Sequence, residues 1–196
     1  MRKKFVNCIL KAISKNQKIS KHKKLIYKYN LECFYTFFTK FIIIFLINLV
    51  LKINDFFILL AMFFTPLRRF SFGFHAGSNL GCWIMSLIMY SIIPWLIKSI
   101  NFNHYFILIS SILLSVLIIV FAPAGTKERP LNNKKKNQKR KIIVFFILVI
   151  YIILVLFTNT YNKIIFLSLA YQAFLVNPIT YKIFYRERGR RTNENC

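Results

Sequence analysis

Long apolar runs constrain this chain before anything else in it. Residues 34–51, 83–97, 105–121, 142–157 and 164–179 are stretches of hydrocarbon side chains broken by short polar segments, with a shorter run at 56–64. A helix needs about 20 apolar residues to cross a bilayer, and a helix satisfies its own backbone there. The runs therefore predict an all-α integral membrane protein of about six transmembrane helices. Lys40, near one end of the first run, can snorkel to the interface. The run at 56–64 is too short to cross alone and is followed by Thr65-Pro66, which predicts a break there. A second span must borrow residues beyond it or be a broken, re-entrant element.

Charge supports the same architecture. The chain is 57% hydrophobic, and its net charge of +24 comes from 29 Lys and Arg against 5 acids. In a soluble chain that balance would suggest nucleic acid. Here the cations fill alternate segments between the runs, as the positive-inside bias requires, so no nucleic-acid partner is expected. Six crossings with both termini cytoplasmic satisfy that bias at every loop. Residues 1–33 carry ten basic side chains among Phe5, Val6, Ile9, Leu10 and Ile13 at helical spacing. That pattern predicts an amphipathic helix on anionic membrane lipids, or a basic arm that sets topology. A membrane domain at 34–181 follows, with a loop at 122–141 holding eight basic residues and one acid, then a basic tail at 182–196. No apolar stretch with a cleavage site follows the N-terminal cations, so no signal peptide is expected. Cys8, Cys33, Cys82 and Cys196 lack metal-ligand or disulfide spacing, and no cofactor or metal is expected.

One island interrupts the hydrocarbon: Arg68-Arg69-Phe70-Ser71-Phe72-Gly73-Phe74-His75-Ala76-Gly77-Ser78-Asn79-Leu80-Gly81-Cys82. Only here do a His and a Cys approach each other in sequence, which suggests a thiol nucleophile with an imidazole base. On one straight helix the two would lie about 10 Å apart along the axis, too far for a hydrogen bond. A working pair requires the chain to fold back, and Gly73, Gly77 and Gly81 permit it. Ser78 or Asn79 could cap a new helix, with Cys82 in its first turn, where N–H groups and the dipole favour a thiolate. The residues leave a second reading open. Gly-x-x-x-Gly-x-x-x-Gly also packs helices closely in a membrane.

The island and the segment Ala122-Pro123-Ala124, Thr126-Lys127 and Pro130 resemble the accessory gene regulator protein B (AgrB) family of membrane cysteine peptidases. The matching island residues are Arg68-Arg69, Gly73, His75-Ala76, Ser78 and Cys82, and the likeness extends to the placement of apolar runs over nearly the whole chain. Phe72 departs from the pattern, since many relatives carry a second Gly there; Glu128 interrupts a basic cluster that is purely cationic in some relatives, which bears on Lys127 and Arg129 as substrate-docking residues. The resemblance implies that His75 is the base and Cys82 the nucleophile, with Arg68 and Gly73 supporting them. Arg69, Ser78 and Asn79 are further candidates for support or substrate binding.

It implies a substrate too: an AgrD-like propeptide with a membrane-lying N-terminal helix, a central signal and an acidic tail. Cys82 would cleave the signal from the tail through an acyl-enzyme thioester. The substrate's own nucleophile would then close a thiolactone or lactone ring, giving an autoinducing peptide for quorum sensing. The active site would sit at the cytoplasmic side of the cell membrane, in a homodimer. Two rivals remain at this stage: an endopeptidase releasing linear product, and a non-enzymatic peptide exporter or interaction module. No acid lies in the island, so Ser78, Asn79, Ser86 or a backbone carbonyl would orient His75.

Overall fold

The computed structural model describes Val6, Ile9 and residues 21–73, 79–124 and 134–180, with backbone alone at 21–24, Tyr29, Cys33 and Asn79. The N-terminal segment before residue 21, apart from Val6 and Ile9, and the tail at 182–196 lie outside the described residues. The chain divides into two compact units, Met1–Val50 and Leu51–Cys196.

The first unit holds α1, Lys21–Val50, a single helix of 30 residues. Its apolar part, Leu25–Val50, begins well before Phe34. Hydroxyls that would be costly in hydrocarbon fold back onto the helix: Thr36 donates to the Glu32 carbonyl at 2.8 Å and Thr39 to that of Tyr35 at 2.8 Å. Phe34 stacks on Phe38 and Phe41 on Phe45 at one-turn spacing.

The second unit is a helical bundle. Its elements are α2 (Asn54–Ser71), α3 (Asn79–Leu87), a π turn (Ile88–Ile92), α4 (Ile93–Ser99), α5 (His104–Phe121), α6 (Lys134–Phe157) and α7 (Asn162–Val176). α3, the π turn and α4 run on as one span, Leu80–Ser99. Pro94 explains the widened turn, because its ring lacks an N–H and crowds the carbonyl four residues back, at Tyr90. Asn103 caps α5, its side chain accepting from the Tyr105 amide at 3.0 Å.

Among the described residues, four helices are long and apolar enough to cross a membrane: Leu25–Val50, Leu80–Ser99, His104–Phe121 and Lys134–Phe157. The chain is thus an all-α, multi-pass membrane protein. Two further helices stand where the sequence suggested spans, α2 with 18 residues and α7 with 15. At about 22 Å, α7 is shorter than a bilayer core of about 30 Å.

α7 is nevertheless the element around which this unit packs, touching α2, α5 and α6. One face, with Ile165, Leu169 and Val176, joins Ile107 and Ile118 of α5 and Val144, Leu148 and Val155 of α6. The other, with Ile164, Leu167, Tyr171 and Leu175, meets Leu60 and Phe64 of α2 and Met89 of the π turn. Lipid is as apolar as these side chains, so close van der Waals fit rather than water exclusion holds them. Buried Ser111 and Ser115 on α5 and Ser168 on α7 supply the small side chains such fit requires.

The break expected at Thr65-Pro66 falls later in the chain. α2 continues through Pro66 as far as Ser71, with Phe64 and Leu67 buried on either side of the proline. Packing on α7 outweighs the one backbone bond the proline removes. Polar contacts tie the opposite end of the bundle, where Lys98 Nζ donates to the Lys52 carbonyl at 2.8 Å and Asn162 Nδ2 to His104 Nδ1 at 2.8 Å. His104 thereby holds α5 to the start of α7.

Candidate active site

The helix break sits at the island. Ser71, the last residue of α2, turns its hydroxyl back to the Leu67 carbonyl at 2.6 Å. Phe72 then takes φ 57° and ψ −136°, and Gly73 φ 113°, so two successive residues leave the helix in left-handed space. That region is nearly reserved for glycine.

Phe72 is held there from several sides. Its carbonyl accepts from Arg68 Nη1 at 2.5 Å and from Gln172 Nε2 of α7 at 2.8 Å. Its backbone forms a parallel bridge with Ala124, whose amide donates to the Ser71 carbonyl at 3.1 Å. The Arg140 guanidinium of α6 lies over its ring, 4.6 Å from the centroid. At Gly73 there is no room for a side chain: a Cβ would come 2.7 Å from the Leu175 carbonyl oxygen of α7 and 2.6 Å from Arg68 Nη1. Both the angle and the space at this position demand glycine.

After the loop, α3 begins at Asn79, which places Cys82 in its first turn as a half-buried free thiol. Ser86, one turn on, donates to the Cys82 carbonyl at 2.7 Å, so that hydroxyl proton is committed within its own helix. Tyr171 of α7 reaches the same span further along, its hydroxyl donating to the Met89 carbonyl at 2.7 Å. Neighbouring residues of α7 thus hold the chain on both sides of the loop, Gln172 at Phe72 and Tyr171 at the π turn.

Of the candidates read from sequence, Arg68 and Gly73 meet at the Phe72 carbonyl, and Cys82 stands at the start of α3. Arg69 is exposed. His75, Ser78, Lys127 and Arg129 lie outside the described residues, as does the side chain of Asn79. The structure adds Gln172, Leu175, Tyr171 and Arg140, which the sequence reading passed over. Gln172 carried a usable signal, being a carboxamide deep in the apolar run 164–179.

The bridge between Phe72 and Ala124 joins the two sequence segments that carried the family resemblance. Comparison with known proteins agrees with that convergence, since the sequence model of the family described as Accessory gene regulator B matches residues 6–176. The chain belongs to the accessory gene regulator B family. Similar relatives include accessory gene regulator protein B of Staphylococcus intermedius, 29% identical over 140 residues, covering 71% of this chain and 74% of the relative. An AgrB-like protein of Listeria innocua is 30% identical over 162 residues, covering 81% and 79%. Accessory gene regulator protein B of Staphylococcus carnosus is 24% identical over 120 residues, covering 61% and 63%. No solved structure matches the chain. As an AgrB-family member the chain presents those of its matched residues that are described, among them Arg68, Gly73, Cys82 and Ala124, at one end of the bundle, where α2 and α7 end and α3 begins.

Proposed function

We propose that this protein is a membrane-embedded cysteine endopeptidase of quorum sensing, acting on an AgrD-like propeptide. Family membership supports a part in processing the autoinducer. The observation that supports the finer reading is the bridge of Phe72 to Ala124, which sets residues 71–73 beside residues 122–124, with Cys82 in a first helical turn.

In this mechanism His75 takes the proton of the Cys82 thiol, and the thiolate attacks the carbonyl joining signal to tail. The tetrahedral intermediate collapses, the tail's amine leaves with the proton that His75 returns, and the signal remains on Cys82 as a thioester. A thiol or hydroxyl within the signal then attacks that carbonyl, closing the ring and restoring the Cys82 thiol. Thioester exchange is nearly balanced, whereas forming a thioester from a peptide bond is uphill, so removal of tail or product draws the reaction forward. A pocket with little water favours ring closure over hydrolysis.

Charge supports a cytoplasmic position for this end. Arg68, Arg69, Lys134, Lys135, Lys136, Lys139, Arg140 and Lys141 belong to it, whereas Lys52, Lys98 and Lys163 cluster at the other. The same basic rim suits an acidic tail, and Lys127 and Arg129 would extend it. The membrane domain at 34–181 would carry this activity, while the basic segments 1–33 and 182–196 would rest on anionic lipid, and a homodimer is the expected assembly.

The test is reconstitution in liposomes with the propeptide and mass spectrometry of products for wild type, Cys82→Ala and His75→Ala. Tail release with a covalent adduct on Cys82, absent from both variants, is the expected result, and the signal's mass separates ring from linear product. Undiminished tail release in Cys82→Ala would overturn the mechanism.

A further inference from the structure

A groove opens between α5 and α6, walled by Ile112, Val116 and Ile119 of the first helix and Phe145, Val149 and Ile153 of the second. Ser115 brings the one hydroxyl in this lining, and that hydroxyl turns back to the Ser111 carbonyl at 2.8 Å, so the walls offer hydrocarbon alone. The groove holds about 250 Å³. Phe145 and Ile153 stand about 12 Å apart along the axis of α6, which gives a mean section of about 20 Å². One extended hydrocarbon chain has about that section, whereas a helix with its side chains is about 10 Å across.

Any lipid tail is apolar enough for such walls, so the kind of lipid is decided at the mouth. At about 3.6 residues per turn, Lys134, Gln138 and Lys141 continue the stripe of α6 that bears Phe145, Val149 and Ile152. Lys141 stands about 6 Å beyond Phe145, toward the membrane surface. Both lysines are exposed, and among the described residues no hydrogen bond or ion pair engages either. Arg140 differs, since its guanidinium lies over Phe72. Asp55, the one acid among the described residues of the second unit, sits in the first turn of α2, at the opposite end of the bundle. Long lysine stems lift their ammonium groups to headgroup level, where each favours an anionic headgroup about fivefold.

We propose that the groove between α5 and α6 is a binding site for one anionic phospholipid, an acyl chain lying along Phe145 to Ile153 and the phosphate meeting Lys141, with Lys134 adding to the attraction. α5 leads into Ala124 and α6 carries Arg140, and both of those residues meet Phe72. The bound lipid therefore braces the two helices against which the start of the loop rests. The proposal stands apart from the peptidase reading, because its measurements involve no propeptide.

The experiment is native mass spectrometry of the full chain, released from detergent micelles after addition of phosphatidylglycerol or phosphatidylcholine with the same acyl chains. Wild type should hold one phosphatidylglycerol with at least about a tenfold preference over phosphatidylcholine. Lys134→Gln with Lys141→Gln should bring that preference within about twofold. Lys136→Gln with Lys139→Gln removes the same charge about 100° or more round α6 from the groove and should keep it. Val149→Phe and, from the facing wall, Val116→Phe fill the groove and should each lower retention of both lipids at least about fivefold; a melting midpoint for every variant shows that it is folded. No preference in wild type, or equal loss from the two lysine pairs, would overturn the proposal, the latter leaving only a diffuse attraction of lipid to the basic end. Undiminished lipid retention in both filled variants would overturn it too, and loss of a dimer peak in those same spectra would assign the groove to a second copy of the chain.

Discussion

The Tyr171 hydroxyl donates to the Met89 carbonyl at 2.7 Å, inside the one π turn among the described residues. A widened turn loosens the regular helical ladder and lets a carbonyl face an outside donor. Phe64 meets the Tyr171 ring edge to face, at 6.2 Å between centroids, so the tyrosine is fixed by packing as well as by its bond. The span that bears Cys82 is thereby pinned to α7.

Tyr171→Phe keeps the ring and leaves a buried carbonyl without its donor, at a cost of about 1–3 kcal/mol. The expected outcome is a melting midpoint lower by several degrees in a detergent thermal-shift assay, with tail release reduced more than propeptide binding. An unaltered midpoint would show that this bond contributes nothing to holding the span.

Gly73→Ala combines a disfavoured backbone angle with a Cβ 2.7 Å from the Leu175 carbonyl oxygen. The angle alone costs about 1–2 kcal/mol, and the overlap is with backbone rather than a side chain that could swing away. Tail release should drop by more than tenfold while the protein still inserts in the membrane, as read by mass spectrometry beside a membrane-fraction blot. Near-normal processing would show that Leu175 moves freely, contrary to its packed position.

At Phe72 the backbone is strained by about 1–3 kcal/mol, a range typical of such angles. Glycine relieves that strain but gives up the contact with Arg140 and adds freedom to the unfolded chain, so Phe72→Gly should melt close to wild type. Phe72→Val forces a branched side chain into the same angle and should melt several degrees lower. The order of the two midpoints is the measurement, and the reverse order would contradict the observed geometry.

The neighbouring arginines separate cleanly. Arg68 donates to the Phe72 carbonyl, whereas Arg69 is exposed. Arg68→Lys substitutes a point charge for a planar fork and should lower tail release by about an order of magnitude. Arg69→Lys should leave it within about twofold. Equal loss in both would mean that charge at the rim, rather than the bond to Phe72, is what matters.

Much of this architecture was legible in the apolar runs, because a membrane helix must be long and continuous in hydrocarbon to exist at all. The start of α3 at Asn79 was legible as well, since glycines and capping residues announce a new helix. Pro66 misled, as its missing N–H is a local cost while Phe64 and Leu67 gain contacts with a helix about a hundred residues away. The convergence of Phe72, Ala124, Arg140 and Gln172 was hidden for the same reason. Each belongs to a different element, and hydropathy averages a single carboxamide into its apolar neighbours.

The parallel bridge at Phe72 and Ala124 bears on any attempt to exchange parts between relatives. Residues 71–73 and 122–124 pair through backbone, and Phe72 and Gly73 rest on α7 through Gln172 and Leu175. A chimera receiving the island alone would set a foreign loop on a host cradle cut for another, so transplantation should succeed only when all three pieces travel from one parent.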